Sequence, residues 1–275
     1  MLKDITLGQY FPGGSPLHRL DPRFKLLLMI AFVVLVFFAR NLPAFAYMLL
    51  IVAVMTVVSG IRVGTVLKGL KPILFISVFT AVINLFWTAG ETPLLSFWII
   101  KIYPEGIWRA VYMVVRIMSL VSGTSLLLTY TTTPMELTDA LESLMTPLKL
   151  IRVPVHEFAM MMSLALRFVP TLVEETEKII NAQKARGADF ESGNLVRRAR
   201  ALIPILVPLF VSSFSRASEL ATAMECRCYT GGEGRTRMRQ LKLRGRDWLT
   251  AFLLILAFGG IVGCNFIPFP WGGVL

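Results

Sequence analysis

The chain has little with which to perform chemistry. Its 275 residues include two histidines, His18 and His156, and three cysteines, Cys226, Cys228 and Cys264. The histidines lie far apart in sequence with no accompanying motif. Cys226 and Cys228 stand alone, whereas a structural zinc needs four ligands, so no metal site is expected. Three cysteines supply no disulfide framework. There is no Gly-x-x-x-x-Gly-Lys-Ser/Thr loop to cradle a phosphate, so any nucleotide must be bound by another chain. Acidic residues number 17 against 28 basic ones, and the apolar runs hold almost none of them, so the clustered carboxylates of a membrane-embedded enzyme are missing. The first 23 residues are polar and end in no small-residue cleavage site, so no signal peptide is expected. These absences point away from an enzyme and from any cofactor held by this chain.

What the chain has in abundance is apolar surface: 55% hydrophobic residues and a mean hydropathy of +0.68. Five runs approach the roughly 17–25 apolar residues of a membrane span: 24–39, 42–59, 72–89, 107–129 and 247–264. Only Arg40-Asn41-Leu42-Pro43 joins the first two, which predicts an antiparallel helical hairpin. Asp21-Pro22 reads as an N-cap followed by a first-turn proline, Lys71-Pro72 as the start of the third helix, and Asp247 as the cap of the fifth.

The basic residues predict orientation. Lys3, Arg19, Arg23 and Lys25 precede or open the first span, Arg62, Lys68 and Lys71 separate the second from the third, and seventeen lie within 130–246. The positive-inside rule then predicts a cytoplasmic N-terminus, a cytoplasmic 130–246 and an external C-terminus in the cell membrane. Trp87, Trp98, Tyr103 and Trp108 fall where an outer aromatic belt belongs. The net charge of +11 follows from this topology, with some attraction to anionic lipid. Its spread over many loops, with the aromatics inside the apolar runs, argues against nucleic-acid binding. The expected fold class is an all-α polytopic membrane protein with about five transmembrane helices plus a cytoplasmic coupling domain of three amphipathic segments. Its divisions are 1–129, 130–246 and 247–275.

Within 130–246 the first piece, 134–150, places Leu137, Leu141, Leu144, Met145 and Leu148 on one stripe. The second runs from Pro154 to about Arg186, with Met161 and Phe168 on its apolar side and Pro170 expected to bend it. The third, about 195–229, contains Pro204 and Pro208, which are expected to bend or divide it. The apolar stripes suit either internal packing or a partner. Both long helices end in an arginine just before a turn. A last-turn cation complements the helix dipole by about 0.3–1 kcal/mol, and that use stands beside a role as a contact point. Deep in the fourth run, Arg116 is a candidate intramembrane functional residue, to be paired with a carbonyl or with an acid of a partner. Arg109 reads as an interface anchor.

Several stretches together resemble the T-component family of energy-coupling factor (ECF) type ABC transporters, the CbiQ/EcfT-like family. They are Ser15-Pro16-Leu17-His18-Arg19-Leu20-Asp21-Pro22-Arg23, Thr131-Thr132-Thr133-Pro134, Leu164-Ala165-Leu166-Arg167-Phe168-Val169-Pro170, Ala185-Arg186-Gly187 and Ala223-Met224-Glu225-Cys226-Arg227-Cys228. The resemblance spans nearly the whole chain. It implies two Ala-Arg-Gly-like signatures docking into two ABC-type ATPase subunits, which bind ATP and Mg. It also implies a substrate-binding S component carrying a vitamin or transition-metal ion. Ala185, Arg186 and Gly187 match the first signature. Cys226, Arg227 and Cys228 match the second only at the arginine. Leu137, Leu141, Leu144, Met161 and Phe168 become candidates for S-component contact or core packing. The rival reading is a membrane scaffold that docks cytoplasmic partners without energy transduction. A secondary transporter is disfavoured by the absence of a repeat and by too few polar intramembrane groups.

Overall fold

The computed structural model describes residues 10–87, 95–97, 100–188, 190, 194–232 and 243–266. Among them are the helices α1 Pro22–Phe38, α2 Leu42–Ser59, α3 Val63–Trp87, α4 Pro104–Thr124, α5 Pro134–Leu144, α6 Val155–Ala185, α7 Leu195–Cys226 and α8 Gly245–Asn265. A small antiparallel ribbon, β1 Leu95–Phe97 with β2 Ile100–Ile102, pairs Ser96 with Lys101 between α3 and α4. The α-helical expectation holds, with this ribbon added. Trp98 of the expected aromatic belt and Lys3 lie outside the described residues, as does the chain beyond 266.

The described residues fall into two compact units, one running from 10 to 140 with 243–266 and one running from 141 to 232. The division falls within α5, whereas hydropathy and charge predict boundaries at 130 and 246. In the first unit α1 and α2 pack against α4 and α8, and α3 packs chiefly along α4. Its core joins Phe32, Leu35 and Val36 of α1 to Met48 of α2, Tyr112 of α4 and Ile261 of α8. Close approach here needs glycine: a Cβ on Gly123 would sit 2.1 Å from the Phe32 ring. The α1–α2 hairpin is present, and the end of α8 clasps its turn. Asn265 Nδ2 donates to the Phe38 carbonyl at 2.7 Å and Asn41 Nδ2 donates to the Asn265 carbonyl at 3.0 Å.

Helices long and apolar enough to cross a membrane are α2, α3, α4 and α8, as expected from the sequence, and also residues Val196–Cys226 of α7. The 17 residues of α1 sit at the short end of the range for a span.

Three local expectations are corrected. Helix α3 starts at Val63, not at Pro72. The chain turns at Gly60 with φ +69°, and the Arg62 carbonyl accepts from Thr65 N at 2.8 Å, nucleating the helix a full two turns early. Pro72 then costs only the bond to the Lys68 carbonyl. Asp247 is not the cap of α8 but its third residue, reaching back to the Arg244 N–H at 2.7 Å in a capping-box arrangement. Pro204 and Pro208 do not divide α7, which runs unbroken for 32 residues. Pro208 removes the donor that the Pro204 carbonyl would use within the helix, and Gln183 Nε2 of α6 donates to that carbonyl instead, at 3.4 Å.

Candidate functional site

The ends of α6 and α7 are built alike. Arg186 is the C-cap of α6. The N–H of Gly187 returns to the Lys184 carbonyl at 2.9 Å and that of Ala188 to the Gln183 carbonyl at 3.0 Å. These are the two bonds of a Schellman motif, and Gly187 takes the left-handed backbone they require, φ +86°. Arg227 is the C-cap of α7. Here Cys228 N–H returns to Glu225 O at 2.9 Å and Tyr229 N–H to Met224 O at 3.0 Å. The left-handed position falls on Cys228, with φ +54°. Cys228 thus occupies the structural place of Gly187, and Cys226 that of Ala185. Both arginines are exposed, as are Ala185, Gly187, Cys226 and Cys228. A side chain at a left-handed position costs about 1–2 kcal/mol, so the second tip has the same shape at a higher energy.

The two tips sit at opposite ends of an antiparallel pair. Glu175 on α6 meets Ser212 and Arg216 on α7, the latter with Nη2 2.9 Å from the carboxylate. Eight residues further along α6, Gln183 meets Pro204, eight residues back along α7 from Ser212. At the other end a Cβ on Gly232, just beyond α7, would lie 2.4 Å from the His156 ring near the start of α6. The two helix–helix pairings share one register, with which the third agrees. At 1.5 Å per residue it separates the arginines by on the order of 40 Å along the pair. The Ser212 hydroxyl and then the charge and hydrogen bond of Arg216 hold the Glu175 carboxyl below its ordinary range. His156 Nδ1 lies 3.1 Å from Glu142 Oε1 beside the start of α6.

The expected apolar stripes remain largely open. On α5 it is Thr138 and Ala140 that are buried, while Leu141 is 41% exposed and Leu137 and Leu144 are partly covered. Met161 is exposed and Phe168 half-buried. On α7, Ile203, Leu206, Val207, Phe210, Val211 and Phe214 form a continuous exposed stripe. Of the two partners left open for Arg116, the structure supplies the carbonyl. Nη2 donates to Ala39 O, the C-cap of α1, at 2.9 Å, and the guanidinium lies 5.4 Å from the Phe45 ring centroid. That geometry stabilises the end of α1 through its carbonyl and a cation–π contact.

One constellation has no local signature in the sequence. Lys25, in the first turns of α1, is 1% exposed. Its ammonium donates to Thr131 O at 2.7 Å, to Thr132 Oγ1 at 3.3 Å and to His18 O at 3.3 Å, matching three donors to three acceptors. Asp247, buried at 2% exposure, accepts from Asp21 N at 3.0 Å as well as from Arg244 N. Asp21 itself caps α1 through Arg23 N at 3.0 Å. Thr133 and Glu136 complete a reciprocal capping box at the start of α5. The stretch 15–23 and the stretch 131–134 are therefore joined into one polar node. In the sequence Lys25 is one of two cations, with Arg23, at the start of an apolar helix, where the positive-inside pattern already gives it a use.

The amino-acid sequence has close relatives among known proteins. Residues 13–238 match the family model CbiQ, described as cobalt transport protein. The energy-coupling factor transporter transmembrane protein EcfT of Clostridium kluyveri is 50% identical over 93% of this chain and 95% of its own. That of Ruminiclostridium cellulolyticum is 50% identical over 98% of this chain and all of its own, and that of Lactococcus lactis subsp. cremoris is 46% identical over 93% and 96%. With its apolar helices and its matched length, the chain belongs to the CbiQ/EcfT family of multi-pass transmembrane components of energy-coupling factor transporters.

Proposed function

We propose that this chain is the coupling subunit of an ECF-type importer. It would transmit ATP-driven motion of two cytoplasmic ATPase subunits to a substrate-binding S component that takes up a vitamin or a transition-metal ion. The observation that carries the reading is the pair of equivalent, exposed, arginine-capped helix ends at opposite ends of one antiparallel pair. Two separated points of equal shape suit two similar partners. The guanidinium fork suits a carboxylate or carbonyl groove on each. Closing the two ATPases would then shift the tips, and with them the α6–α7 pair. In this reading residues 141–240, α7 included, face the cytoplasm, as does the N-terminus, and the C-terminus is external. The charges Arg197, Arg198 and Arg200 in the first turns of α7 and Arg216 within it favour that placement over a sixth span. The open stripe on α7 and the exposed Leu141 and Met161 offer the S component an apolar face. ATP and Mg belong to the ATPases, and this chain contributes no catalysis.

The test is co-purification of ATPase subunits with the full chain, together with substrate uptake in proteoliposomes. The Arg186→Ala/Arg227→Ala double variant is expected to insert normally, lose the ATPases and abolish uptake. Normal uptake and co-purification in that variant would sink the reading. An intact complex without uptake in the wild type would instead favour a scaffold.

A further inference from the structure

An apolar cavity of about 320 Å³ opens between α1, α2 and α8, lined by Leu28, Phe32, Val54, Met55, Leu253 and Ala257 among others. Its walls are membrane helices, and its lining is almost wholly hydrocarbon. Each of the three walls ends in arginine on the same side. Arg23 lies in the first turn of α1, Arg62 follows the end of α2, and Arg244 and Arg246 open α8. The common end is established by the Asp21–Asp247 contact between the starts of α1 and α8. On α8, Arg246 stands one turn before Thr250. Thr250 leads along the lining stripe through Leu253 and Leu254 to Ala257, so the cationic position continues the cavity wall outward. Trp248, 69% exposed, lies beside it, a residue type that favours the headgroup level of a bilayer.

The acids at this rim are already engaged. Asp21 accepts from Arg23 N, and Asp247 accepts from Asp21 N and Arg244 N. Arg62, Arg244 and Arg246 are exposed, and Arg23 Nε is shielded from solvent with no hydrogen-bond partner among the described residues. A hydrocarbon slot with a cationic rim matches one ligand in shape and charge. We propose that it is a binding site for an anionic phospholipid, with an acyl chain between α1, α2 and α8 and the phosphate among Arg23, Arg62 and Arg246. The site is independent of ATPase docking.

The full chain is placed in nanodiscs and released for native mass spectrometry, with phosphatidylglycerol and phosphatidylcholine of identical acyl chains as the competing probes. The wild type retains phosphatidylglycerol in preference, by at least tenfold. Arg62→Gln/Arg246→Gln lowers that preference by about fivefold per arginine while phosphatidylcholine retention stays the same. Ala257→Phe, which fills the slot, reduces retention of both lipids. Unchanged monodispersity and melting temperature exclude misfolding as the cause, and a single Arg246→Gln replaces any variant that fails this control. Equal retention of the two lipids by wild type, or a preference unaltered by the arginine substitutions, overturns the proposal. So does loss of the bound lipid when the chain is assembled with its partner subunits, which would make the slot a protein-docking surface.

Discussion

The end of α6 and the end of α7 differ at both flanks of their arginine, yet their backbones close with the same pair of bonds. At the first, glycine enters the left-handed region without a steric penalty. At the second, cysteine is held there by the return of Tyr229 N–H to Met224 O and of Cys228 N–H to Glu225 O. Arginine placement thus depends on the cap, and the flanking side chains tune only its energy. Among the described residues, and apart from its chain neighbours, nothing lies within 4 Å of a Cβ built on Gly187, whose φ of +86° is itself the constraint.

The comparison breaks hardest at the arginines themselves. Arg186→Ala and Arg227→Ala, made singly, are each expected to weaken ATPase binding by about 2–5 kcal/mol, because truncation leaves the partner's buried acceptors unpaired. Titration of purified ATPase against each variant reads this directly. Similar losses would make the tips functionally equal, and a loss confined to Arg186 would show that the cysteine-flanked end is not a docking point. A reciprocal exchange sharpens the energetic half of the comparison. Gly187→Cys should weaken the end of α6 by about 1–2 kcal/mol, and Cys228→Gly should strengthen the end of α7 by up to a similar amount. Hydrogen exchange of the Ala188 and Tyr229 amides, each donating a Schellman bond, should fall and rise in protection accordingly.

The smallest expected effect concerns what holds the tips in register. Glu175 has its folded-state pKa depressed, first by Ser212 and then by Arg216. Its contribution to α6–α7 pairing is therefore present above the ordinary carboxyl value of 4.5 and is lost as pH falls through the lower folded value. Glu175→Gln should flatten that acid-side loss in a pH series of thermal unfolding. The carboxylate is solvent-accessible, so the change should be slight beside the arginine effects.

How much was legible followed from the range of the interactions. The bounds of α6, from just after Pro154 to the Arg186-Gly187 cap, came from local signals, as did the Asp21-Pro22 start of α1. Errors arose where a local signal competed with a neighbour. Pro72 looked like a first-turn proline, but the turn at Gly60 started α3 earlier. Pro204 and Pro208 read as a bend or a division, and the division does not occur: Gln183 reaches across from α6 to a carbonyl freed in α7. Arg116 stands out in the sequence as a cation inside a span, while its acceptor, Ala39 O, lies 77 residues away. Lys25 carries no signal of its own in the sequence, because a cation near the start of a span has an ordinary topological use.

By itself, then, the amino-acid order settled the helical class, the membrane-spanning character and the two arginines at helix ends. Those depend on hydropathy, period and capping residues, all read within a few turns of chain. Tertiary structure alone decided that the arginines stand at opposite ends of an antiparallel pair. It also decided that Cys228 carries the left-handed cap, and that Lys25 and Asp247 join the stretches 15–23 and 131–134 into one node. Such features need a buried charge or a strained backbone to be compensated by donors and acceptors far away in sequence, and only the packed fold brings those together.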